Sequence, residues 1–250
     1  MKEVRFFYAP DARHLQELPE DEARHALRVL RLKEGDDIVI SDGKGFLYDA
    51  RIVQTGKNSC RFEITKEEKW HKPWNGTLHL AMAPTKNADR TEWMAEKATE
   101  IGFDRLTLLD CAFSERRNVN TGRIEKIMVS AMKQSHKGLL PEVEGLVKFK
   151  DFLNRPFAGH KYIAHCYTEP ELNIGGRPYL LDVLDGSDSL VMVGPEGDFS
   201  CEEVKMAVAA GFRPVSLGES RLRTETAALA AVHMMNIKNR KAHAENSSSL

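Results

Sequence analysis

Two loops hold the residues whose types and spacing best suit them to chemistry. The first, Gly194-Pro-Glu-Gly-Asp-Phe-Ser200, follows the apolar run Ser189–Val193 and precedes a helical pattern. Its glycines let a ligand come close to the backbone, and Ser200 with Glu203 forms a capping box that starts the helix. The second, Gly218-Glu-Ser-Arg-Leu-Arg-Thr-Glu-Thr226, follows Pro214–Leu217 and leads into a helix smoothed by Ala227, Ala228, Ala230 and Ala231. Ligands of α/β folds bind where strands end at the carboxyl edge of a parallel sheet, so two such units would place both loops around one pocket. Neither loop has the Lys-Ser or Lys-Thr pair of a Walker sequence, nor the third glycine and downstream acid of a dinucleotide fingerprint. ATP and NAD are therefore poor fits. A plain capped turn is the alternative reading of the first loop, and close helix packing that of the second.

The elements that position these loops are legible from periodicity. Residues 1–72 read as a small, mostly β module. Val4–Tyr8 is a short strand, and Pro19-Glu-Asp-Glu opens a helix with Ala23, Leu27 and Leu30 on one face. Asp37–Ser41, Phe46–Gln54 and Ser59–Lys66 follow as strands, at a spacing that suggests a compact barrel. The polar, aperiodic stretch Glu67–Asn75 marks a boundary. Beyond it strands and helices alternate: Thr77–Ala83, Asp89–Ile101, Arg105–Leu109, Thr121–Lys137, Lys161–His165, Leu190–Val193, Ser200–Ala210, Pro214–Leu217 and Thr224–Lys238. Such alternation predicts an α/β domain over 73–243 with a largely parallel sheet. Residues 244–250 read as a frayed tail.

The charge balance, 36 basic against 37 acidic residues in 250, argues at first against a nucleic-acid partner. Its distribution argues otherwise. Between Phe113 and Gly138, Arg116, Arg117, Arg123, Lys126, Lys133 and Lys137 are offset only by Glu115 and Glu125. Arg24, Arg28 and Arg31 form a second stripe on the first helix, and Arg5 extends this surface. Such stripes suit phosphate contacts, although a solvated helix face would look the same. The four cysteines are far apart, which excludes a C-x-x-C zinc or redox site and fits a reducing compartment. The start of the chain has no apolar leader, and no stretch is long enough to span a bilayer. A cytoplasmic protein without a membrane partner and without a metal is expected.

The two glycine loops, taken with Lys86, Glu92-Trp-Met-Ala-Glu-Lys-Ala-Thr-Glu-Ile-Gly102, Ser114-Glu-Arg116, Ala131-Met-Lys-Gln-Ser135 and Pro141, resemble the RsmE family. This is the ribosomal RNA small subunit methyltransferase E group of the SPOUT superfamily. His25-Ala-Leu-Arg-Val-Leu-Arg31 with Gly35-Asp36 resembles that family's N-terminal domain, so the likeness runs from about residue 5 to residue 236. It implies a PUA-like RNA-binding β-barrel followed by an α/β domain with a trefoil knot. It also implies a homodimer that uses S-adenosylmethionine to methylate N3 of a uridine in the decoding region of 16S ribosomal RNA, free or in the 30S subunit. The chain departs from the family at Asp198, where glycine is frequent, at Ser220 and Arg221, where Arg then Ile is frequent, and at Lys137, where Arg is usual.

The resemblance assigns the cofactor pocket to Val193, Gly194, Gly197, Leu217, Gly218, Leu222 and Thr226. The chemistry of N3 methylation singles out Glu196 and Arg223 in these loops as the candidate catalytic residues. Glu196 reads either as a solvated loop acid or as the group that takes the N3 proton or bonds the base. Arg223 reads either as a partner in a local ion pair or as the cation that steadies a developing uracil anion. Lys86, Arg116, Arg117, Lys133, Lys137 and Arg221 join Arg5, Arg24, Arg28 and Arg31 as candidate RNA contacts. A non-catalytic PUA-like RNA-binding or assembly factor and a ribose 2′-O-methyltransferase remain the alternatives.

Overall fold

The computed structural model describes residues 5–168, 172 and 176–241. Val4 and the tail 244–250 lie outside the described residues. The chain divides into two compact units, Met1–Lys72 with Lys126–Leu140, and Pro73–Glu125 with Pro141–Leu250. The second unit is thus discontinuous in sequence, where the alternation of elements read it as one stretch.

In the first unit, β1 (Phe6–Tyr8), β2 (Asp37–Ser41), β3 (Phe46–Thr55) and β4 (Cys60–Lys69) form a sheet in that order. β1 and β2 are parallel, and the other pairings are antiparallel. Alternation along β3 turns Tyr48, Ala50 and Ile52 into a core shared with Phe7, Ile38, Ile40 and Phe62. Two short helices, α1 (Ala12–Leu15) and α2 (Glu20–Arg24), precede β2, and α2 runs directly into a π-helical turn, His25–Val29. The wider turn shifts the apolar phase expected of a regular helix. Ala23 and Ala26 are buried, Leu27 is half-buried, and Leu30 is exposed. The expected Ala23/Leu27/Leu30 face is corrected accordingly.

The second unit is built on a six-stranded sheet, every pairing parallel. Its strands are β5 (Leu78–Met82), β6 (Arg105–Asp110), β7 (Glu142–Lys148), β8 (His160–Ala164), β9 (Ser189–Val193) and β10 (Arg213–Val215). They lie in the order β10-β8-β9-β5-β6-β7. Every residue of β5 and β9 is buried, as expected for parallel strands covered on both faces. β7 was not visible in the sequence. It is a half-exposed edge strand whose two glutamates and glycine mask the apolar pattern. The helices of this unit include α3 (Ala88–Ile101), α5 (Phe149–Leu153), α6 (Leu180–Val183), α7 (Cys201–Ala209) and α8 (Thr224–Asn239); α4 spans Thr121–Gln134. α7 starts with the expected capping box: Glu203 N–H donates to Ser200 Oγ (3.2 Å), and Ser200 N–H donates to Glu203 Oε2 (2.8 Å).

Two buried histidines give the fold a pH dependence. His79 Nε2 lies 2.9 Å from Thr107 Oγ1, and the Thr107 hydroxyl donates to Glu144 (3.2 Å), so Nε2 carries the proton. Burial pushes the His79 pKa down from 6.5 to about 3. Burial, assisted by Arg177, takes His165 down to about 4. The unfolded chain therefore binds protons below about pH 6.5 that the folded chain refuses. This contribution to stability is complete above that pH and is lost as the pH falls towards 3 or 4. Each histidine should cost up to about 1.4 kcal/mol per pH unit inside that window. Urea melts between pH 6.5 and 4 should show the loss, with a shallower slope for His79→Gln. An identical slope in that variant would contradict the assignment.

Candidate functional site

The register of the sheet sets the site. Val193 at the end of β9 pairs with Met82 of β5 and with Ala164 of β8, and Ala164 pairs with Val215 of β10. Four strand ends stand level, so the following loops leave the same edge. The loops after β8, β9 and β10, with Arg90 of α3, line a cavity of about 540 Å³, a size typical of small-molecule sites.

The cavity is lined by Val193, Gly194, Glu196, Gly197, Leu217, Gly218, Arg221, Leu222 and Arg223, which brings both glycine loops together. Thr226 does not line it. Helical register turns Thr226 outward and presents Thr224 and Ala227 instead. Gly194 lets the loop fold tightly on itself, because a methyl there would lie 2.9 Å from Phe199 N. Gly218 has φ 130°, in the region that favours glycine.

Several lining residues were not singled out in the sequence. Ala164 ends β8, His165 and Cys166 follow it, and Arg90 and Arg177 complete the wall. The signal available was that β8, like β9, is an apolar strand whose end belongs at the same edge. The His165 ring nitrogens are buried without a hydrogen-bond partner among the described residues, and Arg177 Nη1 donates to the His165 carbonyl. Asp198 joins this wall to the first loop. Its Oδ2 accepts from Cys166 N–H (2.7 Å) and its Oδ1 from Phe199 N–H (2.7 Å). Burial raises the Asp198 pKa, and these two bonds oppose the rise. The residue has φ 66°, which aspartate tolerates better than most side chains.

Glu196 Oε1 accepts from Lys86 N–H (2.9 Å), so the acid is oriented rather than loose. Arg223 is the N-cap residue of α8 in an extended conformation, and its side chain is exposed at the cavity. The local ion pair at this helix start belongs to Glu225 instead, which is buried and faces Arg90 at 3.7 Å.

Most of the candidate RNA contacts already have partners. Arg5 pairs with Asp36 (3.0 Å), Arg24 with Glu20 (3.0 Å), Lys86 with Glu115 (2.7 Å), Arg117 with Asp110 (2.9 Å) and Lys133 with Glu22. Arg28 donates to Asn58 Oδ1 (2.8 Å), and Arg31 is exposed with φ 55°. Lys137 is half-buried. Arg116 is a structural clamp: its Nε donates to the carbonyls of Thr85 (3.1 Å) and Lys86 (3.0 Å), and its Nη2 to that of Lys86 (2.7 Å). Arg221 alone among these candidates lines the cavity. Among the described residues no cluster of His, Cys, Asp and Glu could hold a metal ion, and no helix is long and apolar enough to cross a membrane.

Comparison with known proteins agrees with this geometry. An RNA methyltransferase domain family matches residues 72–236, and an RNA methyltransferase PUA domain family matches residues 18–65. Ribosomal RNA small subunit methyltransferase E of Rickettsia conorii is 29% identical over 88% of this chain and 89% of its own length. The crystal structure of a probable rRNA-methyltransferase from Porphyromonas gingivalis is 42% identical, with a TM-score of 0.88 over 94% of this chain and 98% of that one. A ribosomal RNA small subunit methyltransferase E from Neisseria gonorrhoeae, solved bound to S-adenosyl methionine, is 28% identical, with a TM-score of 0.78 over the same shares. The chain belongs to the RNA methyltransferase family represented by ribosomal RNA small subunit methyltransferase E.

Proposed function

We propose that this chain transfers a methyl group from S-adenosylmethionine to N3 of a uridine in the decoding region of 16S ribosomal RNA. The observation that carries the reading is the single cavity in which both glycine loops meet Glu196 and Arg223. The residues present fit the cofactor. Ala164, Val193, Val215, Leu217 and Leu222 give an apolar wall, Gly194 and Gly218 open the backbone to a purine edge, and His165 is kept neutral beside the site. S-adenosylmethionine, when bound, supplies an electrophilic methyl on a sulfonium.

The chain's own residues supply position and charge. N3 is a pairing-edge atom, so the uridine must leave its stack before it can be reached. Glu196, held by Lys86 N–H, takes the N3 proton or bonds the base. Arg223 steadies the negative charge that develops on the uracil, which a guanidinium suits. The exposed Arg24, Arg28 and Arg31 of the PUA-like unit contact phosphates without reading sequence. The finer expectations belong to the same proposal: barrel closure in the first unit, a trefoil knot in the second, a homodimer and a cytoplasmic location, with free 16S RNA or the 30S subunit as substrate. They rest on the resemblance of the sequence motifs to the RsmE family.

Calorimetry should detect S-adenosylmethionine binding to the wild-type chain. Gly194→Ala, whose added methyl would crowd Phe199 N, should weaken that binding at least about tenfold, or roughly 1.4 kcal/mol. Arg223→Ala should leave cofactor affinity unchanged and lower the methylation rate by about 10²–10³. Wild-type turnover in a folded Arg223→Ala protein would remove that role.

A further inference from the structure

Phe113 is 51% exposed although its ring is large and apolar. A lone exposed phenylalanine is ordinary. Its setting is not, because hydrogen bonds from two sides fix the turn that presents it. Cys111 N–H donates to Ser114 Oγ (3.0 Å), and Ser114 N–H donates back to the Cys111 carbonyl (3.1 Å). Ala112 N–H donates to Glu203 Oε1 (2.8 Å), and the other oxygen of that carboxylate caps α7. Beyond the turn, Arg116 grips the carbonyls of Thr85 and Lys86. Phe113 itself lies against Gly197, where an added methyl would come within 3.3 Å of Phe113 Cβ. Gly197 lines the cavity and adjoins Glu196. A half-exposed aromatic ring on a fixed backbone turn therefore packs against Gly197, a cavity-lining residue next in sequence to Glu196.

We propose that the ring of Phe113 stacks on the pyrimidine base lifted out of the RNA and holds it at the cavity mouth. The inference rests on the methyltransferase reading above. A base that leaves its helix loses its stacking partners, and an aromatic face restores that contact for any base. Phe113 then contributes affinity and position, while the polar groups of the cavity select the pairing edge.

Phe113→Ala, Phe113→Leu and Phe113→Trp test the proposal, with small-subunit ribosomal RNA as substrate and cofactor affinity measured separately by calorimetry. The Ala and Leu variants should lose about tenfold to a hundredfold in kcat/KM, mainly through KM for RNA, and the Trp variant should stay within about threefold of wild type. Cofactor affinity should be unchanged in all three. A Leu variant as active as wild type would overturn the proposal, because apolar packing on Gly197 would then suffice. A loss of cofactor affinity parallel to the loss of activity would also overturn it, since Phe113 would then merely shape the cavity. A wild-type chain that neither binds S-adenosylmethionine nor methylates RNA would overturn the methyltransferase reading and this proposal with it. Wild-type activity combined with an unimpaired Ala variant would overturn stacking alone.

Discussion

Between Glu196 and Glu203 three carboxylates of one segment accept backbone N–H groups from three different loops. Glu196 takes Lys86 N–H after β5, Asp198 takes Cys166 N–H after β8, and Glu203 takes Ala112 N–H after β6. The segment can do this because it leaves β9, which pairs with both β5 and β8 in level register. The level pairing of β9 with its two neighbours therefore holds the loops that follow it. Bonds to charged acceptors are stronger than neutral ones. An otherwise irregular loop thereby becomes the fixed wall of a cavity. Glu196, which also reads as a solvated loop acid in the sequence, is part of the framework.

Much of this was legible in the sequence, for physical reasons particular to each element. The continuous apolar runs at β5 and β9 announce strands buried on both faces, and Ser200 with Glu203 announces the start of α7. Gly194 and Gly218 mark the loops because a close approach and a positive φ leave no other signature. Other features depend on partners that periodicity does not reveal. The π-helical turn at His25–Val29 changes which side chains face inward. Thr226 lies one register position away from the cavity, between Thr224 and Ala227. His165 and Cys166 belong to the wall only because β8 is the neighbour of β9, and strand order is not visible in an apolar run.

The basic residues show a similar limit. A count of side chains separates basic stretches from acidic ones, but it does not show that Arg5, Arg24, Lys86, Arg117 and Lys133 face carboxylates. Exposed pairs of this kind are weakly held, so a phosphate can replace the acid at little cost. The buried Glu22 beside Lys133 is different, since removing its partner would leave an uncompensated charge. Arg116 is committed to two carbonyls and shapes the site rather than waiting for a ligand. A near-neutral chain can thus carry local basic stretches whose cations are held by acids of the same chain.

The most direct measurement is the identity of the modified nucleoside. Small-subunit ribosomal RNA incubated with the chain and S-adenosylmethionine would be digested and analysed by mass spectrometry, with reverse transcription locating the position. The expected product is N3-methyluridine, which blocks pairing and stops the transcriptase at one site in the decoding region. A 2′-O-methylated ribose, or RNA left unmodified by a chain that still binds it, would contradict the assignment.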